Sequence, residues 1–241
     1  MKQTLRILTI CALLVYANHL NAQFFRFGIK AGVGISNLHF SSFDAIPDDQ
    51  VPYAGLAYNR TPAFRPSLLL GAVMEFDLTK EFVFSTGIQL TPRYSNTVLN
   101  YLPKSENEVR VRLNYLQIPV TCYYRKRQMF FGLGGYWGAC LWGNWETEER
   151  YYDNNIVFNT VTTDGQVVFG TNPEQQNLKR MDYGFRGEIG YALKTFRLSI
   201  AYDHGLFNMA PTGVNANMFE YDGNLKQQAL FLTLTYYRLA K

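Results

Sequence analysis

The residues able to do chemistry are few. Histidine occurs three times, as His19, His39 and His204. His204 follows Asp203, and Ser199 and Ser67 are the hydroxyls such a pair would have to activate. A serine held by a histidine attacks esters, the reaction of a lipid hydrolase. Adjacent residues on a strand point to opposite faces, so Asp203 and His204 cannot share one site in an extended run. No spacing links either serine to His204, and the residues predict no catalytic site. Asp44, Asp48 and Asp49 lack the spacing of an EF-hand calcium loop, so a solvated loop and no metal are expected. "FGLGGYWG" (131–138) has the glycines of a nucleotide loop without its strand–turn–helix setting, and no cofactor is implied. What remains is a set of charges: Lys30, Glu75, Arg93, Arg186, Glu188, Arg197 and Asp203. Both signs are present, so these side chains can neutralise one another in a closed polar interior. They could line a pore, but eight strands leave little room for water, which favours a plugging salt-bridge network.

The elements that position these charges are strands. Apolar and polar residues alternate with period two over 25–37, 67–77, 81–93, 110–125, 129–142, 182–193, 196–205 and 227–238. In the first run Phe27, Ile29, Ala31, Val33 and Ile35 share a face; in the seventh Phe196, Leu198, Ile200 and Tyr202 do. Each run reaches the roughly 9–11 residues that a tilted membrane strand needs. Short links, "LTK" (78–80), "KRQ" (126–128) and "KT" (194–195), alternate with long segments at 38–66, 94–109, 143–181 and 206–226. Tight turns at one end and long loops at the other are the anatomy of an up-and-down membrane barrel. Across "KT", Ile189 meets Ile200; across "LTK", Phe76 meets Phe82 and Leu70 meets Ile88, so apolar faces coincide. Pro119, inside "NYLQIPVTCYY" (114–124), removes a ladder donor. It predicts a β-bulge or local break, with the freed carbonyl partner satisfied by an inward polar side chain. Asp164-Gly165, between β-branched runs, predicts a type I′ turn in a small external hairpin.

The polar face decides which side is inside. It carries Gly28, Gly32 and Gly34 beside Lys30, and Gly184 and Gly190 beside Arg186 and Glu188. Glycines on a free surface only weaken strands, whereas the crowded interior of a small barrel requires them. The apolar face therefore looks outward to lipid. Charged residues make up only 17% of the chain, below the roughly 25% of soluble globular chains. The net charge of +4 comes without a basic block, which excludes nucleic acid as a partner. Phe76, Phe82, Tyr124, Phe130, Phe196 and Tyr236 fall near the short turns. Tyr94, Tyr115, Trp142, Tyr183 and Tyr202 fall toward the long loops, so two aromatic belts are expected. "MKQTLR", then the apolar "ILTICALLVYA" and Ala22, read as a cleaved secretory signal over 1–22. Residues 23–241 are then one barrel domain. Cys122 and Cys140 stand too far apart along adjacent strands to bridge. The reading is all-β: an eight-stranded antiparallel up-and-down transmembrane β-barrel in an outer membrane.

"FGIKAGVGISNL", "FRPSLLLGAVMEFDLTKEFVFSTGIQLTPRY", "NYLQIPVTCYYRKRQMFFGLGGYWGACLWG", "RMDYGFRGEIGYALKTFRLSIAYDHGLFN" and "LFLTLTYYRL" together resemble the PorT-like outer-membrane β-barrel proteins of Bacteroidota. The most specific element is Tyr115-Leu116-x-Ile118-Pro119, which matches a recurring Y-L-x-I-P strand motif. The resemblance implies an eight-stranded barrel and names no catalytic residues. Its founding member is linked to type IX secretion and gliding.

The functional expectation is a non-enzymatic integral barrel, surrounded by outer-membrane lipids, whose long loops contact envelope or secretion proteins. Trp145, Tyr151, Tyr152, Phe158 and Phe169, in the longest loop, are the expected contact residues. The alternatives are a small-solute channel and, further off, a lipid-modifying enzyme.

Overall fold

A computed structural model describes residues 25–40, 58–101, 105–153, 156–171, 178–209 and 225–238. The expected signal segment and Asp44, Asp48 and Asp49 lie outside the described residues. The strands are β1 (Phe25–Phe40), β2 (Tyr58–Ala63), β3 (Arg65–Asp77), β4 (Phe82–Tyr101), β5 (Ser105–Lys126), β6 (Met129–Asp153), β7 (Ile156–Gln166), β8 (Met181–Ala192), β9 (Phe196–Gly205) and β10 (Leu225–Arg238). All their pairings are antiparallel. β1, β3, β4, β5, β6, β8, β9 and β10 pair in that order, and β10 returns to β1. The ring of eight leaves no free edge in the barrel, as a lipid-embedded sheet requires. β2 pairs with the far end of β4, and β7 with the far end of β6.

Strands outrun the sequence reading at the long-loop end. β4 and β5 stay paired as far as Tyr101↔Ser105, and β5 and β6 as far as Ser105↔Tyr151. Residues read as loop at 94–101, 105–109 and 143–153 are therefore sheet. Their alternation is polar rather than apolar, and opposite charges such as Arg110↔Glu146 replace apolar cross-strand pairs. Together with β2 and β7 they build a five-stranded external sheet, β2-β4-β5-β6-β7, above the barrel.

Registers agree with the alternation and refine it. Ile189 pairs with Ile200, as the "KT" turn predicts. Across the other turn Phe76 pairs with Phe84 and Leu70 with Leu90, two residues from the expected register. The turn is longer, because the Thr79 hydroxyl accepts from the Glu81 and Phe82 amides, at 3.2 and 2.9 Å, and so holds Glu81 out of the ladder. A shift of two keeps every side chain on its face. At the β5–β6 turn Arg127 takes the left-handed conformation, with φ of 58°.

Pro119 breaks one ladder and not the other. Toward β6 it pairs with Tyr136 in unbroken register. Toward β4 the pairs stop at Thr86↔Val120 and resume at Gln89↔Gln117 without a shift. The break is there, but the polar group that attends it is unexpected: Thr86, on the lipid side, donates its hydroxyl to the Pro119 carbonyl at 3.0 Å. The bulge lies further along, where Asn114 pairs with Trp142 but Tyr115 with Cys140. Asp164-Gly165 is no turn either. Both residues sit within β7, opposite Glu146 and Trp145. A Cβ at Gly165 would lie 2.7 Å from the Trp145 ring, so the glycine serves a close approach instead. Residues 154 and 155, between β6 and β7, lie outside the described residues.

The outer face of the ring is apolar and open to its surroundings. Ile29, Leu68, Ile88, Leu133, Ile189, Ile200 and Leu232 are all exposed. Tilted aromatic pairs girdle the short-turn end: Phe25–Phe76 at 5.3 Å, Phe82–Tyr124 at 5.5 Å and Phe196–Tyr236 at 5.2 Å. Toward the far end Trp142, Tyr183 and Tyr202 are exposed, and Tyr183 packs on Phe207 at 5.2 Å. Two of the expected belt residues face inward. Tyr115 is fully buried, and Phe130 stands edge-on to Tyr123 at 5.2 Å. Both lie on the face opposite Leu116 and Phe131, so parity sends them to the interior. Cys122 and Cys140 are free thiols, the first exposed and the second buried.

Candidate functional site

The interior is built in layers from the polar face of each strand. Nearest the short turns, Arg26 bonds Asp77 at 2.8 Å and lies 3.3 Å from Glu75. Glu75 also pairs with Arg197 and accepts the Tyr237 hydroxyl at 2.7 Å. The Arg197 guanidinium lies between rings, 4.5 Å from Tyr123 and 4.4 Å from Phe130. One layer up, Lys30 donates to both oxygens of Glu188 at 3.0 Å. Glu188 accepts further from Tyr123 at 2.9 Å and Ser199 at 2.6 Å. Above that, Asp203 takes a fork from Arg186, at 2.6 and 3.1 Å, and a third bond from Arg93 at 2.6 Å. Gln89 accepts from Arg186 at 3.1 Å and donates to Gln117 at 2.9 Å. Asp182 ends the series, accepting from Tyr136 at 2.7 Å and from Gln227.

Lys30, Glu75, Arg93, Arg186, Glu188, Arg197 and Asp203 are thus all buried inside one ring and joined in three ion-paired groups. Buried charges persist where each is paired and hydrogen-bonded. Tyr123, Tyr237, Gln117, Tyr136 and Asp182 complete the network and escaped the sequence reading. Their signal was parity, since Asp182 shares the face of Arg186 and Glu188, and Gln117 and Tyr123 the face opposite Ile118. Packing leaves a cavity of about 20 Å³ beside Lys30, Gln89, Thr121 and Glu188. That is room for one water.

Over the charged layers sits an apolar cap. Leu38, Val111, Leu113, Tyr115, Cys140 and Leu225 from the strands meet Val167, Leu178 and Met209, all buried. The loop residues are tied down by backbone bonds: Val167 to the Gly143 carbonyl, Lys179 to that of Met209, and Met209 to that of Leu225, at 2.8, 2.8 and 2.9 Å. Trp145 and Phe169, expected to face a partner, are half-buried against this cap. The reason is parity for Trp145, which shares the inward face of Gly143 beyond the bulge. Tyr151 and Tyr152 are half-buried on the external sheet, and the Tyr151 hydroxyl donates to Glu149 at 2.8 Å. The side chain of Phe158 lies outside the described residues.

His204 faces outward on β9, beside Tyr202 and Gln228 at 3.3 and 3.4 Å. Asp203 and Ser199 face inward, and Ser67 bonds the Pro92 carbonyl inside. No triad geometry joins them.

A second charged cluster lies on the external sheet. Glu108 accepts from Arg110 at 2.9 and 2.8 Å, Asn96 at 2.7 Å and Arg65 at 3.2 Å. The Arg110 hydrogen bonds hold its carboxyl below the usual carboxylate range, with Asn96 and the Arg150 charge helping and partial burial opposing. A depressed folded-state value stabilises the folded form above the ordinary carboxylate pKa of about 4.3 and loses that effect as pH falls through the folded value. The external sheet is therefore expected to hold its amide protection from neutral pH down through the ordinary carboxylate range and to loosen only below it. In Glu108→Gln that acid-induced step is expected to shrink. Hydrogen exchange at β4–β5 across a pH series checks both.

A closed antiparallel ring, apolar and aromatic-girdled outside, charged and filled inside, defines a transmembrane β-barrel of the outer-membrane class. A family model described as outer membrane protein beta-barrel domain matches residues 17–210, and the chain belongs to that family. It is an outer-membrane protein in contact with lipid. Among solved structures it is similar to the attachment invasion locus protein Ail of Yersinia pestis, with 9% identity, TM-score 0.36, and 88% of this chain and 98% of that one covered. It is also similar to Neisserial surface protein A, with 8% identity, TM-score 0.35, and 87% and 96% covered. Outer membrane protein OprG from Pseudomonas aeruginosa gives 11% identity, TM-score 0.34, and 90% and 95% covered. No curated protein matches the sequence.

Proposed function

We propose that this protein is a plugged, non-enzymatic mount whose external sheet holds a protein partner, as an envelope or type IX-like secretion accessory of the PorT-like kind. One observation carries the reading: β4, β5 and β6 continue past the barrel and, with β2 and β7, form a folded sheet outside it. A membrane mount needs only strands long enough to cross; the extra length has to be kept by what it does outside. The Arg110–Glu108–Arg150 cluster keeps that sheet rigid, so a binding surface on it is pre-organised. A solute channel fits less well, because ion pairs fill the bore and the apolar cap lies over it.

The test is excision. Trp145 and Gly165 are paired neighbours, so replacing 146–164 with a two-residue turn shortens the hairpin without touching the barrel. The excised protein is expected to insert and keep its barrel spectrum, yet to lose the partners that crosslink to the intact chain in native membranes. Identical crosslinked partners in both would refute the reading.

A further inference from the structure

The external sheet has two edges, and they differ. β2 is 6 residues long and carries Pro62, both devices that blunt an edge. β7 is 11 residues, "IVFNTVTTDGQ", with neither proline nor lysine. Ile156, Val157 and Val161 are exposed on it, at 70, 46 and 43%. Among the described residues β7 pairs with β6 and no other strand. The amide of Val167 points to β6, donating to Gly143 at 2.8 Å. By alternation Gly165, Thr163 and Val161 also point to β6, while Asp164, Thr162 and Thr160 turn their N–H and C=O groups to the open side.

From this edge we infer that β7 is a strand-addition site for an extended segment of another protein, one that carries lysine or arginine opposite Asp164. The inference rests on the partner-binding reading above and supplies its mode: backbone bonds for affinity, alternate side chains for choice. The charge preference follows from the sheet. Asp164 sits across from Glu146, and two facing carboxylates repel. Glu146 draws on Arg110 at 3.1 Å, but among the described residues no cation pairs with Asp164. A basic residue on a third strand relieves that repulsion. A second copy of this chain is a poor occupant. Antiparallel pairing of two identical edges needs a two-fold axis across the strands, which would turn one copy upside down in the membrane.

The test uses the full chain in detergent and a synthetic nonapeptide alternating valine with lysine and threonine. Saturable binding is expected, with amide exchange at Thr160, Thr162 and Asp164 slowed at least about tenfold. The same peptide with glutamate for lysine is expected to bind more weakly. Thr162→Pro removes an edge-facing donor and no bond to β6, so it is expected to abolish binding, while Thr162→Val, which keeps the amide, binds normally. Three results would each overturn the inference: edge amides as protected as Val161 and Thr163 before peptide is added, equal binding by Thr162→Pro, or edge protection that appears only with concentration-dependent dimerisation. The two readings fail separately. Should Thr162→Pro keep the native-membrane partners that the 146–164 excision loses, strand addition is wrong and the external-sheet reading stands.

Discussion

Asp203→Ala is expected to lower the unfolding free energy by about 3–5 kcal/mol, measured by denaturant titration in detergent micelles or lipid vesicles. Among the described residues Asp203 is the one carboxylate bonded to both Arg93 and Arg186, and all three side chains are about 1% exposed. Removing it leaves two buried guanidinium groups without the carboxylate they share, while among the described residues Arg186 still donates to Gln89 and Arg93 to Gln117. The penalty comes from the stranded cations more than from the lost attraction. Replacing Arg93, Arg186 and Asp203 together with methionine, methionine and leucine is therefore expected to recover most of the loss. Such a rescue separates a charge effect from a packing one. An unchanged midpoint in Asp203→Ala would mean that the bore is wet and the ions are solvated.

Ile200→Arg carries the second large effect. Ile200 lies on β9 between Ile189 and Leu232, and all three are about half exposed. In water such a surface tolerates arginine. In the hydrocarbon of a bilayer the same change is expected to cost about 2–4 kcal/mol. Val161→Arg, at a similarly exposed residue of β7, is expected to stay within about 0.5 kcal/mol, because it meets water. Folding into vesicles, followed by unfolding in urea, measures both. Equal costs at the two positions would mean that one solvent bathes both surfaces.

The barrel was legible because its outer face and its inner face obey one rule over long runs. Each strand from β8 to β10 alternates without a slip, so Arg186, Glu188, Arg197 and Asp203 could be placed inside by counting. The rule fails where alternation loses its apolar partner. β4, β5 and β6 continue beyond the membrane as largely polar runs, SNTVLNY, SENEVR and GNWETEERYYD, which read as loop until a facing strand supplies the partner, as Glu146 does for Arg110. A glycine signal misled, and a proline signal held as a break but not as a bulge, for a related reason. Gly165 marks a close approach by Trp145 and not a turn, and Pro119 opens one ladder without shifting it. Both outcomes depend on which side chain stands across the sheet, a neighbour distant in sequence. The cap was least visible, since Val167, Leu178 and Met209 come from segments with no periodicity of their own.

The protein's three tryptophans, Trp137, Trp142 and Trp145, offer the most direct test of a lipid-facing barrel that ends below an external sheet. Trp137 faces outward within the apolar band, Trp142 is exposed at its outer margin, and Trp145 packs on the cap. Single-tryptophan variants, with phenylalanine at the other two positions, are reconstituted in vesicles of lipids brominated at defined acyl depths. The account predicts strong quenching of Trp137, quenching of Trp142 only by bromines near the headgroups, and none of Trp145. Quenching of Trp145 by acyl bromines, or a Trp137 that no bromolipid reaches, would contradict it.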